Sequence, residues 1–316
     1  MSLLDVENLT VSFPTPDGVV HAVRDVSFSV DEGRTLGIVG ESGSGKSVAT
    51  QTVVGLTRGA RVSGRAVYNG NDLLTMSGRD LRAIRGAQIG MIFQDPLSSL
   101  HPCYKAGKQI TEMIRAHEDV SKPAARERAI ELLDLVGIPQ PEVRVDSYPH
   151  QLSGGMRQRV MIAMAMALSP ALLIADEPTT ALDVTVQAQI IALMRRLQEE
   201  YGTAIIMITH DLGVVADVAD DVMVMYAGKV MEHADRRATY YTPHHPYTRG
   251  LIRSLPNATK ARSEAGRGRL DPIAGQPPSL ISVPDGCPFH PRCPFAMDQC
   301  VVEAPPLIPV GTATSH

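Results

Sequence analysis

The first 35 residues alternate apolar and polar positions, the pattern of strands that bury one face. Two alternating runs are separated by the segment Pro14-Thr15-Pro16-Asp17-Gly18, which is rich in turn-forming residues. The apolar positions are Leu9, Val11, Phe13, Val23, Val26, Phe28 and Val30. We therefore predict a small antiparallel β layer at the start of the chain.

An apolar run at 35–39 predicts a buried strand that leads into a glycine-rich loop and then a helix over 47–56. Later strand-like runs alternate with helical stretches. The strands are expected at 171–175, 204–209 and 221–226, and the helices at 184–200 and 212–219. This alternation is typical of an α/β core built on a parallel sheet.

The middle of the chain has a different pattern. Over 124–136 the residues Ile130, Leu133 and Val136 share one helical face, and Gly137 and Pro139 end the helix. We predict a helical subdomain over 97–165, inserted between core segments 1–96 and 166–235. Residues 236–316 form a proline-rich C-terminal extension, which we expect to lack an apolar core. We expect it to be held together by a cross-link or a bound metal, which the cysteines could supply.

Composition narrows the class of protein. The 316 residues are 44% hydrophobic, enough for one large core or two smaller ones, and the net charge of -4 argues against a protein that coats nucleic acid. No apolar run approaches the roughly 20 residues that span a bilayer. The N-terminus lacks the layout of a signal peptide. We expect a soluble cytosolic chain that binds no nucleic acid.

The cysteines are few and unevenly placed. Cys287, Cys293 and Cys300 lie within the last 30 residues, which in the cytosol favours metal ligation over disulfides. Cys103 stands apart, and we interpret it as a buried or half-buried thiol.

The segment Gly40-Glu41-Ser42-Gly43-Ser44-Gly45-Lys46-Ser47 fits the phosphate-loop pattern G-x-x-x-x-G-K-[ST]. Its glycines let backbone N–H groups surround phosphates, Lys46 reaches the outer phosphates and the Ser47 hydroxyl meets Mg²⁺. A predicted strand precedes the loop and a helix follows it. The pattern therefore indicates nucleotide binding by residues 42–47.

Two further motifs have chemistry of their own. Asp176 and Glu177 end an apolar strand, where Asp176 can hold Mg²⁺ through water and Glu177 can polarise an attacking water. Leu152-Ser153-Gly154-Gly155-Met156 precedes a predicted helix, so its N–H groups suit a phosphate, although a plain helix cap is the alternative.

These motifs, followed by Ala181-Leu182-Asp183 and His210, occur in the order that resembles the ABC ATPase family. The resemblance implies that two subunits close head to tail, with Ser153, Gly154, Gly155 and Asp183 of one completing the ATP site of the other. It implies that Glu177 and His210 act in catalysis.

The same resemblance assigns two more residues. Gln94, in Phe93-Gln94-Asp95-Pro96, would touch Mg²⁺ and water and relay contact from a membrane partner. Phe13 lies where the family has an aromatic residue that stacks on adenine, with packing in the core as the alternative.

Further segments are similar to the oligopeptide/dipeptide importer branch of that family. They include 94–100, 210–215, His245-Pro246-Tyr247-Thr248-Arg249 and the cysteine-containing tail. The branch implies a [4Fe-4S] cluster held by Cys287, Cys293 and Cys300, with structural zinc or free thiols as alternatives. The branch has a fourth cysteine further along that is missing here, so either the sequence is truncated before it, or His290, His316 or an exogenous ligand takes its place.

We therefore expect a motor subunit that hydrolyses ATP at the cytoplasmic face of the inner membrane. Its expected partners are a second, related ATPase chain, two permeases and an extracytoplasmic peptide-binding protein. Nickel or another small solute is the alternative cargo. A soluble ABC ATPase of DNA repair or ribosomes, or a subunit that binds ATP without hydrolysing it, is the alternative role.

Overall fold

The computed structural model describes residues 2–180, 182–255 and 272–310. Within them, one sheet is antiparallel, with the strand order β2-β1-β4-β5. Its strands are β1 (Ser2–Thr15), β2 (Gly18–Asp31), β4 (Arg61–Tyr68) and β5 (Asn71–Asp72). The predicted hairpin is confirmed, because β1 pairs with β2 from Ser2↔Asp31 to Thr15↔Gly18.

The other sheet has six strands in the order β10-β9-β3-β8-β7-β6. These are β3 (Thr35–Val39), β6 (Ile89–Ile92), β7 (Leu172–Asp176), β8 (Ala204–Thr209), β9 (Asp221–Tyr226) and β10 (Lys229–Asp235). Strands β6, β7, β8, β3 and β9 run parallel, as the alternation predicted. The sequence pattern did not predict β10, which pairs antiparallel with β9 at one edge.

Helices surround this sheet. They are α1 (Lys46–Val53), α2 (Gly78–Ile84), α3 (Pro96–Ser99), α4 (Ala106–His117), α5 (Lys122–Leu135), α6 (Pro141–Arg144), α7 (Gly154–Ala165), α8 (Val184–Tyr201), α9 (Leu212–Val218), α10 (Arg236–Tyr241), α11 (Pro246–Arg253) and α12 (Asp298–Val302). Between 96 and 165 the regular elements are all helical, and α4, α5 and α7 share one apolar core through Ile110, Leu133 and Val160.

The described C-terminal residues pack onto the six-stranded sheet. Tyr247 of α11 and Phe289 are fully buried in one apolar cluster with Val224 and Tyr226 of β9. The expectation that this tail lacks an apolar core is therefore wrong. Large aromatic side chains on short, proline-rich elements still form an apolar cluster when one face of a sheet supplies the opposite wall.

Candidate nucleotide-binding site

The phosphate loop, Asp176, Glu177, His210 and Gln94 lie at the carboxyl ends of four neighbouring parallel strands. The phosphate loop follows β3, His210 follows β8, Asp176 ends β7 and Gln94 lies two residues after β6. Carboxyl ends of parallel strands meet at one edge of a sheet, where ligands of α/β proteins bind. The topology therefore gathers residues that are more than 160 positions apart in the chain.

The phosphate loop has the backbone conformation that its glycines permit. Gly43 and Gly45 have φ angles of 77° and 97°, and a Cβ at Gly45 would lie 2.2 Å from the carbonyl oxygen of Ala22. These positions require glycine. Lys46 is 4% exposed, and its Nζ donates to the carbonyl oxygens of Gly40 and Glu41 at 2.8 and 2.9 Å. Burial lowers the pKa of Lys46, although nearby carboxylates oppose this shift.

Asp176 is tied to the first turn of α1. Its carboxylate accepts hydrogen bonds from Ser47 Oγ at 2.7 Å and from Gln51 Nε2 at 3.2 Å. Asp176 is 2% exposed, and burial raises the pKa of its carboxyl group against the effect of these two donors. A buried carboxylate beside a hydroxyl is an oxygen donor set that fits Mg²⁺, which takes one or two carboxylates together with phosphate oxygens and water.

Glu177 lies at the centre of a second set of contacts. Its Oε2 accepts from Gln94 Nε2 at 3.0 Å and from Thr180 Oγ1 at 2.8 Å. His210 Nδ1 lies 3.4 Å from Glu177 Oε1. Glu177 has a φ of 46°, and its N–H donates to the Ile208 carbonyl of β8. The predicted catalytic residues are thus in contact around one carboxylate.

The loop at 153–155 lies at the start of α7, and its contacts are with α7 and α8. Ser153 caps α7, since its side chain accepts from Met156 N–H at 3.3 Å. A Cβ at Gly155 would lie 2.8 Å from Val186 Cγ1, so this loop rests against the start of α8. Asp183 caps α8 in the same way. Within one chain, these residues therefore have a helix-capping arrangement, and a role across an interface stays a prediction.

Phe13 lies on β1 opposite Val20 and is partly buried against the main core cluster. The structure thus confirms that the ring packs on the core, and stacking on adenine stays a prediction. Ala181, in the predicted turn before α8, lies outside the described residues.

Several residues of this site were missed from the sequence. Gln51 lies one helical turn after Ser47, so i,i+4 spacing offered a signal. Thr180 lies three residues after Glu177 in a turn, where no helical spacing predicts that the two side chains are in contact. Arg292 was missed entirely: its guanidinium holds the Glu41 carboxylate at 2.6 and 3.0 Å, across 251 positions. No local pattern predicts a pair this distant.

The described structure shows no single-metal site at the predicted cysteine cluster. Among the described residues, no group of three His, Cys, Asp or Glu side chains is arranged to hold a metal ion. Cys287 is buried while Cys293 and Cys300 are half-buried. Burial raises the pKa of the Cys287 thiol, and its neighbours Cys300 and Cys293 add to that shift. The three cysteines therefore lie near one another without forming a single-ion site.

The remaining predictions about ligands and thiols have different outcomes. His290 directs Nδ1 to the Cys287 carbonyl oxygen at 2.9 Å, and His316 lies outside the described residues. Cys103 is exposed, so its interpretation as a buried or half-buried thiol is wrong. In the described part of the chain, no helix combines the length and apolar character needed to cross a membrane.

Comparisons with known proteins agree with this geometry. Residues 23–180 match the ABC transporter family, and residues 231–300 match the oligopeptide/dipeptide transporter C-terminal region. The chain is 51% identical to the oligopeptide transport ATP-binding protein OppD of Salmonella typhimurium, over 96% of this chain and 90% of that protein. It is 49% identical to the dipeptide transport ATP-binding protein DppD of Escherichia coli, over 97% and 93%.

Solved structures show the same fold. A dimer of the ATP-binding cassette MJ0796 in a post-hydrolysis state, bound to ADP and Pi, superposes with a TM-score of 0.68 and 28% identity, covering 74% of this chain and 99% of that one. The structure of cbiO1 from Clostridium perfringens gives a TM-score of 0.64 with 29% identity, covering 76% and 91%. The chain therefore belongs to the ABC transporter family, as an ATP-binding subunit of its oligopeptide/dipeptide branch.

Proposed function

We propose that this chain is the motor subunit of an ABC importer, binding and hydrolysing ATP to energise uptake of dipeptides or oligopeptides. The observation that carries the proposal is the arrangement around Glu177, which Gln94, Thr180 and His210 contact beside the hydrogen-bonded pair of Ser47 and the buried Asp176. An ATPase needs such a carboxylate next to a phosphate loop and a Mg²⁺ site. The names of the relatives supply the cargo.

The phosphate loop would hold ATP. Backbone N–H groups of residues 42–47 face the phosphates at the start of α1, where the helix dipole favours negative charge. Lys46 would exchange its contacts to the carbonyl oxygens of Gly40 and Glu41 for the outer phosphates. Phe13 would pack against the adenine ring.

Three side chains would hold Mg²⁺, which supplies charge neutralisation at the phosphates when bound. Ser47 offers its hydroxyl, Asp176 offers a carboxylate whose present partners are Ser47 and Gln51, and Gln94 offers its amide oxygen. The donation from the Gln94 amide nitrogen to Glu177 leaves that oxygen available.

Glu177 would orient the attacking water and accept its proton, since the carboxylate is fixed from two sides by Gln94 and Thr180. His210 would hold the γ-phosphate and the water. Its side chain is 58% exposed, whereas that of Glu177 is 13% exposed, so His210 is free to turn toward a bound nucleotide.

A second ATPase chain would complete each site. Ser153, Gly154, Gly155 and Asp183 would face the nucleotide of the partner, because the start of α7 offers N–H groups and a positive helix end.

We assign residues 1–96 and 166–235 to the ATPase core, 97–165 to the helical subdomain and 236–316 to the extension. Two permeases and an extracytoplasmic binding protein would hold the motor at the cytoplasmic face of the membrane.

We also propose an iron–sulfur cluster on Cys287, Cys293 and Cys300. Its support is that the three cysteines share one apolar cluster, in which the Cys287 N–H donates to the Cys300 carbonyl oxygen at 2.9 Å. A cluster separates its thiolates more widely than one metal ion does, so the absence of a single-ion group in the described residues does not conflict with it.

Anaerobic purification followed by iron, acid-labile sulfide and visible absorption measurements tests the cluster. We expect iron and sulfide in the wild type and in Cys103→Ser, which alters an exposed thiol, and their loss in Cys293→Ser. A colourless, iron-free wild-type protein would contradict the proposed cluster.

Uptake of a labelled tripeptide by proteoliposomes that contain the complete complex tests the proposed function. We expect ATP-dependent accumulation with the wild type and none with Glu177→Gln. Accumulation of nickel but not of peptide would mean that the transported substrate is a small solute. ATP hydrolysis without any transport would favour a soluble ATPase.

A further inference from the structure

Glu41, the second residue of the phosphate loop, is fixed by the C-terminal extension. Arg292 Nη1 lies 2.6 Å from Glu41 Oε2, and Nη2 lies 3.0 Å from Oε1, a two-pronged ion pair. The backbone N–H of Glu41 donates to Tyr247 Oη at 3.0 Å. Two separate parts of the extension therefore hold one loop residue.

Glu41 also contacts the lysine that binds phosphate. Its carbonyl oxygen accepts from Lys46 Nζ at 2.9 Å. Glu41 thus links Arg292 to Lys46: its side chain binds Arg292 and its carbonyl oxygen binds Lys46. A shift of Glu41 would move this carbonyl oxygen and therefore the ammonium group of Lys46.

Arg292 is itself firmly placed. Its side chain is 5% exposed, Nε donates to the Ala274 carbonyl oxygen at 2.9 Å and Nη1 lies 3.2 Å from Tyr226 Oη. It belongs to the short helical turn His290–Arg292, between two of the clustered cysteines. The preceding Phe289 packs edge-on against Tyr226 with ring centroids 5.3 Å apart.

Charge gives this contact a consequence for ligand binding. A phosphate loop must accept several negative charges, and Glu41 adds another within the loop itself. Its side chain is 27% exposed, so bulk water screens it only in part. Arg292 is the cation that neutralises it, and removing Arg292 leaves a carboxylate within the phosphate loop without this partner.

We propose that Arg292 is a positioning residue for nucleotide binding: it neutralises Glu41 and fixes the phosphate loop, and so couples the cysteine segment to the ATP site. The inference rests on the proposed function. Arg292 acts through Glu41 and needs no contact with ATP.

Binding of Mg-ATP by the purified chain, together with KM and kcat of the assembled complex, tests this role. For Arg292→Gln we expect a KM for ATP roughly 10-fold higher, as for loss of one charge interaction, and a kcat within about 2-fold of the wild type. Arg292→Lys restores the charge but not the two-pronged geometry, so its KM should lie between the two.

The double variant Glu41→Gln/Arg292→Gln separates charge from packing. It removes the uncompensated carboxylate, so ATP affinity should return to within about 3-fold of the wild type. Arg65→Ala is the matched control, because it breaks an exposed ion pair with Glu7 in the antiparallel sheet and should leave KM unchanged.

Thermal melting distinguishes a merely structural role. A lower melting temperature for Arg292→Gln with an unchanged KM would overturn the inference, because a merely structural role changes stability alone. Failure of the wild type to bind Mg-ATP would overturn the proposed function and this inference with it.

Discussion

Gln94 Nε2 donates a hydrogen bond of 3.0 Å to Glu177 Oε2 and so joins the residues that follow two neighbouring strands, β6 and β7. Gln94 lies at the entrance to the helical region, two residues before α3. Movement of the helices relative to the sheet would therefore act directly on the carboxylate that we assign to hydrolysis.

Replacement of Glu177 by Gln should stall hydrolysis and leave binding intact. The amide keeps the shape of the side chain but cannot accept the proton, so kcat should fall by about 10²–10⁴-fold. Single-turnover phosphate release and equilibrium binding of ATP measure the two effects separately. Normal turnover by this variant would refute the role of Glu177 as the base.

Lys46→Ala should act on binding instead. Lys46 Nζ has charge-assisted contacts that a phosphate would take over, and losing such a contact costs about 1.5–3 kcal/mol. We expect ATP affinity to fall by about 10–100-fold. Isothermal titration with Mg-ATP checks this. An unchanged affinity would mean that the lysine stays on the loop carbonyl oxygens when nucleotide binds.

Much of the fold could be predicted from the sequence because its signals are local. Alternation over Leu9 and Val11 predicts a half-buried strand, and the strands at 204–209 and 221–226 have the bounds that their apolar runs indicate. The predicted helix at 47–56 spans Lys46–Val53 in the structure: it begins one residue earlier, after Gly45, and ends three residues earlier, before Gly55 with its positive φ of 63°. Helix ends depend on such capping geometry, which composition does not reveal.

The site could be predicted only in part. Motif order identified Glu177 and His210, but their contact at 3.4 Å depends on β7 and β8 being neighbours. The pair Glu41–Arg292 depends on how the extension folds back, and no periodicity encodes that path. Long-range ion pairs therefore stay beyond pattern reasoning.

Gly154 and Gly155 offer a matched test of the partner-facing loop. A Cβ at Gly154 meets only Leu182 Cδ2 at 3.9 Å, an ordinary contact, so Gly154→Ala should melt like the wild type and bind ATP normally. If the loop touches a partner's nucleotide, the methyl group should displace it and lower the ATPase rate of the complex by about 100-fold. Gly155→Ala would meet Val186 at 2.8 Å and should also destabilise the chain itself. Full activity of Gly154→Ala would argue against this contact across the interface.

His245 should make stability depend on pH. It caps α11 by accepting the Tyr247 N–H at Nδ1, and burial lowers its pKa below the ordinary 6.5 despite the opposing charge of Glu232. A histidine whose pKa is lower in the folded state stabilises the fold at pH values above its pKa in the unfolded state. This stability is lost as the pH falls through its pKa in the folded state.

We therefore expect the melting temperature to fall as pH drops below 6.5, and to fall less in His245→Asn, which keeps a capping acceptor. The flattening should be partial, because burial also lowers the pKa of His233. His101→Asn, an exposed position, is the control. Equal pH dependence in wild type and His245→Asn would contradict this assignment.

The central claim is that ATP hydrolysis at Glu177 serves peptide import. It is tested most directly by the ATPase rate of the complete complex, with permeases and binding protein, across dipeptides, longer peptides and nickel chelates. We expect stimulation by peptides, with the most effective length showing the cargo preference, and no stimulation by nickel. Stimulation by nickel or another small solute alone would contradict it.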